Sequence, residues 1–404
     1  MSNAYDNLWK DIVVPRKLIY SDDSISPAHF QTRQGAKVTR SAFNVHNEQG
    51  EKLHGLLYSL TTSKQMNAFV PCLIYLHSHG GNCIEGSAMI SDVCESFSFC
   101  LFDFSGYGKS EGNFSTLGLK EAKDLDAVIK YLIEQEKYEN IFIWGRSMGA
   151  VTAIRHCALI SRPEIKALVL DSPFTEVRAM VGDIMAEKGV PRFLTSIALI
   201  PLGSSMKGHT GVDVLENSPE DLAQQVKIPI MVMVGRKDKI SLPSRVLGMF
   251  ERFPHTFKQW VEFDGDHGSI RPADVLNRAM VFLRMVYSQL QATTQTQSLI
   301  SKHGAIFFNH EDELDSKSKN ISSLIEKNKA AKLKVRPPGV LAGHSSKSGL
   351  DQHARLIERR LLTQQMELPS GELTVKSQTT GGYSQNSKIQ MSKGLRINRV
   401  DTDS

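Results

Sequence analysis

The sequence predicts an α/β protein with a mostly parallel central sheet and helices on both faces. Three observations carry this reading. Short, nearly continuous apolar runs recur at 70–76, 97–104, 141–144, 167–170, 228–234 and 260–263, as expected of strands buried on both sides. Segments with apolar residues every three or four positions lie between them. Several of the apolar runs end directly in turns rich in Gly, Asp and Ser.

The elements follow in order. Residues 1–35 read as an N-terminal extension in which Trp9, Ile12, Val13, Val14, Leu18, Ile19 and Tyr20 can pack on the main body. Residues 37–43 and 53–59 flank the polar turn Asn47-Glu48-Gln49-Gly50 and predict a hairpin. Helices are expected at 117–135, 149–160, 243–253 and 272–290. In the first of these, Leu119, Ala122, Leu125, Val128, Ile129 and Leu132 share one face. The βαβ alternation implies right-handed crossovers. It is broken at 176–211, read as a small helical, cap-like insertion within a domain spanning 36–292.

From about 293 to 404, Ser, Thr, Gln, Lys, Asn and Gly dominate. Such a composition buries too little surface to offset chain entropy, so a mostly disordered tail is expected. Residues 301–404 hold 17 Lys+Arg against 11 Asp+Glu, whereas the first 300 hold 31 against 32. The basic character therefore belongs to the tail, and the body carries no stripe expected of a nucleic-acid binder. Within the tail, residues 353–368 give a loose helical stripe among arginines, a candidate for contact with a partner or a membrane surface. No apolar run reaches the length of a membrane span, and the first residues lack a secretory pattern. Five cysteines without CxxC spacing read as reduced, buried thiols, so a cytoplasmic protein is expected.

The chemistry concentrates at Gly145-Arg146-Ser147-Met148-Gly149, between a predicted strand and a predicted helix. That context suits a nucleophile elbow, which exposes a serine hydroxyl at a helix N-terminus. A serine needs a base, and the base needs an orienting carboxylate. Asp238 and His267 follow Ser147 in that order, each in a turn just past a strand. The C-terminal edge of a parallel sheet is where ligands bind. Asp171, Asp264 and Asp266 are competing acids. Asp171 also follows a strand and reads as structural or as a pocket lip. Met148 is expected to supply one oxyanion N–H, and Ser78 or His79, from the loop 77–81, the other. A metal site on His77 and His79 is disfavoured because no acidic partner pattern lies nearby. The run 103–112 lacks the spacing of a phosphate-binding loop and reads as a tight turn.

Together, the segments 75–82, 102–112, 145–150, 171–174, 235–238 and 265–268 resemble the α/β-hydrolase superfamily, especially its serine aminopeptidase-like (S33-type) and Bem46/ABHD17-like branches. The resemblance covers about residues 36–290. It implies a serine hydrolase acting on a small acyl-containing or peptide substrate through Ser147, His267 and Asp238, with no cofactor. It departs at His77-Ser78, where relatives commonly have His-Gly, and at Gly268, where they often have Asn. Two further functions stand as alternatives: a protein depalmitoylase, disfavoured because no cysteine precedes Cys72, and a catalytically silent scaffold acting through the tail, disfavoured by the intact triad.

Overall fold

A computed structural model describes residues 9–307, apart from 16, 61, 62 and 188. Nine strands form one sheet in the order β1-β2-β3-β5-β4-β6-β7-β8-β9. They are β1 (His29–Gln31), β2 (Lys37–His46), β3 (Lys52–Ser59), β4 (Cys72–Leu76), β5 (Ser98–Phe102), β6 (Ile141–Arg146), β7 (Ile165–Asp171), β8 (Ile230–Gly235) and β9 (Lys258–Phe263). The first three strands and β5 pair antiparallel, and every pairing from β5 through β4 to β9 is parallel. The α/β class and the mostly parallel sheet expected from the sequence are present. The expected hairpin is β2–β3, in register from His46↔Lys52 to Thr39↔Ser59.

Strand edges differ from the sequence reading for local reasons. β4 begins at Cys72 rather than at 70, because Pro71 has no N–H to give to a ladder. β5 stops at Phe102 because Asp103 turns the chain, its carboxylate accepting the N–H groups of Cys83 and Lys109. β1 went unforeseen, as three residues are too few for a periodic signal. It lies within the segment read as an N-terminal extension and adds an edge strand to β2.

The helices of ten or more residues are α1 (Glu121–Glu134), α2 (Met148–Leu159), α3 (Val177–Glu187), α4 (Arg192–Thr210), α5 (Pro243–Arg252) and α6 (Ala273–Phe307). α3 and α4 occupy the segment read as a helical insertion. α6 was expected to end near 290, where its apolar stripe stops, but runs on to Phe307. The next residues hold neither Pro nor Gly until Gly304, so nothing interrupts the helix. One compact unit ends at Leu290, and the described part of a second is the remainder of α6 from Gln291. From 308 on, the tail and its segment 353–368 lie outside the described residues.

Alternation along each strand divides the core in two. Cys72, Ile74 and Leu76 of β4 and Ile141 and Ile143 of β6 face α1 and α2. Leu73, Tyr75, Phe142 and Trp144 face α6, which answers with Val275, Ala279, Phe282, Leu283 and Val286. No helix among the described residues is long and apolar enough to cross a membrane. All five cysteines are free and buried. Burial pushes the thiols of Cys94 and Cys157 up to about 12.

Helix α2 packs against β4 backbone to backbone, with no room for a side chain between them. A Cβ added to Gly149 would stand 2.2 Å from the Leu76 carbonyl oxygen, whereas one on Gly248, exposed in α5, would meet nothing within 4 Å. Gly149→Ala is therefore expected to destabilise the fold by about 1–3 kcal/mol. Gly248→Ala should stabilise it by about 0.4–1 kcal/mol. Thermal melting of both variants beside the parent checks the contrast. The five thiols should resist alkylation in the native protein and react in denaturant, as mass spectrometry of iodoacetamide-treated samples would report.

Candidate active site

Six parallel strands bring their C-terminal ends to one edge, and the residues singled out by sequence meet there. Ser147 joins β6 to α2 at φ +51° and ψ −112°, on the half of the map that side chains with a Cβ rarely adopt. Two glycines make this turn possible. A Cβ on Gly145 would stand 2.4 Å from the Gly149 carbonyl, just as one on Gly149 would strike Leu76. The Ser147 N–H donates to the Asp171 carbonyl at 2.7 Å, which fixes the elbow to β7.

The side chains form a relay. Ser147 Oγ lies 2.9 Å from His267 Nε2, and His267 Nδ1 lies 2.8 Å from Asp238 Oδ2. Asp238 is buried, and its other oxygen accepts the N–H groups of Ile240 at 2.9 Å and Ser241 at 2.7 Å. The carboxylate thus keeps one face for the imidazole. This fixes the proton on Nδ1 and leaves Nε2 to accept from the serine hydroxyl. The competing acids stand elsewhere. Asp264 pairs with Lys237 at the surface, and that partner holds its carboxyl below the ordinary range. Asp266 caps its own turn, accepting from Gly268 N–H and Ser269 Oγ. Asp171 is taken up by Arg271.

The proposed oxyanion donors fare differently. Met148 opens α2, so its N–H has no helical partner a turn earlier. Its sulfur is fixed by the hydroxyls of Tyr107 at 3.4 Å and Ser115 at 3.3 Å. The Ser78 N–H already points at the Glu85 carboxylate, at 3.2 and 3.3 Å, and its hydroxyl donates there too, at 2.6 Å. His79 has no such commitment of its main-chain N–H among the described residues. Its ring is held by the Tyr107 hydroxyl at 2.6 Å and by the Asp11 carbonyl at 3.3 Å. Burial pushes this imidazole below the ordinary histidine range, against a smaller upward pull from the Asp11 carbonyl. His77 is spoken for on both nitrogens. Nδ1 donates to the Ser78 carbonyl at 2.8 Å, and Nε2 accepts the Phe104 N–H at 3.1 Å. Among the described residues no group of three or more His, Cys, Asp or Glu is arranged to hold a metal ion.

Sequence reasoning expected the N-terminal segment to pack on the main body but missed its place, and that of other parts, beside the site. The N-terminal segment, helical at 9–13, walls one side. Val13 is fully buried, its carbonyl accepts the Ser115 N–H, and Trp9 stacks on His209 of α4 at 4.1 Å. A cleft of about 280 Å³ lies between α3 and α4, lined by Gly182, Thr195, Leu199 and, from α5, Arg245. Arg146, Arg271 and Glu85 also reach the site from below. Arg146 stands inside the Gly145–Gly149 motif, whereas no motif marks Arg271 or Glu85, which tertiary packing alone places.

Comparisons with known proteins agree with this architecture. The family model for serine aminopeptidase, S33, matches residues 93–220, which takes in the elbow but not Asp238 or His267. Protein bem46 of Schizosaccharomyces pombe is 26% identical over 186 residues, 45% of this chain and 55% of that protein. The mouse alpha/beta hydrolase domain-containing protein 17C is 29% identical over 221 residues, 52% of this chain and 58% of that one. This chain thus spans little more than half the length of these two relatives. Among solved structures, the Pyrococcus furiosus esterase Pf2001 superposes with a TM-score of 0.51 at 22% identity, covering 67% of this chain and 97% of the other, which shows a shared fold. Strand order, strand–elbow–helix geometry and these likenesses agree: the chain has the α/β-hydrolase fold and is similar to the serine aminopeptidase S33-like and Bem46/ABHD17-like branches of that superfamily.

Proposed function

We propose that this hydrolase-family protein is a serine hydrolase that cleaves a carboxylic ester, thioester or amide through an acyl-enzyme intermediate. The observation that carries the reading is the unbroken relay Ser147–His267–Asp238, with hydrogen-bond distances of 2.9 and 2.8 Å, on a serine held at positive φ. Ser147 Oγ attacks the acyl carbon while His267 Nε2 takes its proton, and Asp238 stabilises the resulting imidazolium. The tetrahedral oxygen receives the N–H of Met148 and, with Ser78 engaged by Glu85, the N–H of His79. Collapse expels the leaving group with the proton from His267. Water, deprotonated by the same imidazole, then releases the acid and restores Ser147. The relay favours an enzyme over a silent scaffold, because a scaffold has no need of a strained serine aligned with a paired imidazole.

Labelling with a fluorophosphonate probe tests the reading. The parent protein should be labelled, and Ser147→Ala should not be, with its melting temperature nearly unchanged. Labelling of Ser147→Ala at the parental rate, or a parent that stays unlabelled, would sink the assignment.

Turnover of p-nitrophenyl butyrate extends the test to the partners. His267→Ala and Asp238→Asn should each lower kcat by about 10⁴-fold, because the first removes the base and the second favours the wrong tautomer. A loss confined to KM would place either residue outside the reacting group.

A further inference from the structure

Under the triad, on the α6 side of the sheet, two arginines stand between two acids: Glu85, Arg146, Arg271 and Asp171. Glu85 accepts from the hydroxyls of Tyr75 and Ser78 and faces Arg146 Nη1 at 3.8 Å. Arg146 Nη2 donates to the His267 carbonyl at 3.2 Å. Arg271 Nη1 donates to the same carbonyl at 3.3 Å and also to the Ser269 carbonyl. Its Nε reaches both oxygens of Asp171 at 2.9 and 3.0 Å, and Nη2 reaches Asp171 Oδ1 at 2.8 Å and Ser172 Oγ at 3.2 Å. Each nitrogen of this guanidinium is engaged, and its plane lies over the Phe263 ring at 4.8 Å. Arg271 is 7% exposed and Asp171 2%.

Two features point past simple stability. A buried ion pair is a poor stabiliser, since apolar replacements of similar volume often do as well or better. This pair also touches both ends of the reacting group. The Asp171 carbonyl holds the Ser147 N–H, while its carboxylate holds the arginine that holds the His267 carbonyl.

We propose that Asp171 and Arg271, assisted by Arg146, are positioning residues that fix the separation of Ser147 Oγ and His267 Nε2. This role rests on the nucleophile reading above. A lysine at 271 keeps the charge but cannot span Asp171 and the carbonyl together, because it lacks the planar fork. Displacement of a reacting group by about 1 Å costs on the order of 10²-fold in rate.

The experiment uses the full chain, a fluorophosphonate probe and p-nitrophenyl butyrate, and reads both the rate and the endpoint of labelling. Arg271→Lys and Asp171→Asn should label about 10- to 100-fold more slowly yet reach the parental endpoint. Their kcat should fall by the same factor, with KM within about twofold. Arg146→Met should slow labelling less, because Arg271 still holds the carbonyl. A purely structural role would instead lower the endpoint and the melting temperature and leave the rate per folded molecule unchanged, which overturns the proposal. If the variants at 171 and 271 do not fold, Arg146→Met decides, and the parental rate there overturns it. A parent that stays unlabelled removes the nucleophile itself, and the positioning role with it. A labelled parent beside variants reacting at its own rate removes only the positioning role.

Discussion

The close approach of β6, α2 and β4 at the elbow is the constraint on which the site depends. Backbone replaces side chain at two points, Gly145 against Gly149 and Gly149 against Leu76, and only then can the chain reverse within one residue. The reversal places Ser147 at positive φ, aims its hydroxyl away from the sheet and leaves the first N–H groups of α2 facing the same space. The proposed nucleophile and oxyanion donor are thus products of one packing event. Asp238 and His267 are then brought to it by the parallel register of β7, β8 and β9, whose ends lie side by side.

Much of this was legible in the sequence because it depends on local pattern. Apolar runs gave the parallel strands, glycine spacing gave the elbow, and the order Ser147, Asp238, His267 matched turns just past strands. The relay needed only that those turns share an edge, which parallel topology guarantees. The edge strand β1 and the extension of α6 to Phe307 were not legible, since the first is shorter than any periodicity and the second carries none.

The supporting shell was illegible for a different reason. Arg271 is the fourth residue after His267, in a stretch that reads as an ordinary loop, and its partner Asp171 lies 100 positions earlier. Only the assembled sheet brings them together. The oxyanion loop is similar. Sequence offered Ser78 and His79 equally, and the difference between them comes from Glu85, whose carboxylate occupies the Ser78 amide. Here side-chain chemistry, rather than loop composition, chooses which amide is left for a ligand.

The N-terminal segment changes what counts as the smallest working unit. Counted by strand–helix repeats, the domain begins near residue 36. Counted by what packs around the site, it takes in Trp9, whose ring lies on His209, together with Asp11 and Val13. A chain trimmed to the repeats would keep the relay but lose the anchor of the His79 ring and one support of α4. The loop that carries the proposed second oxyanion donor is therefore held partly by a residue that precedes the fold's own repeating pattern. Divergence in that stretch would reach the 77–81 loop without touching Ser147, Asp238 or His267.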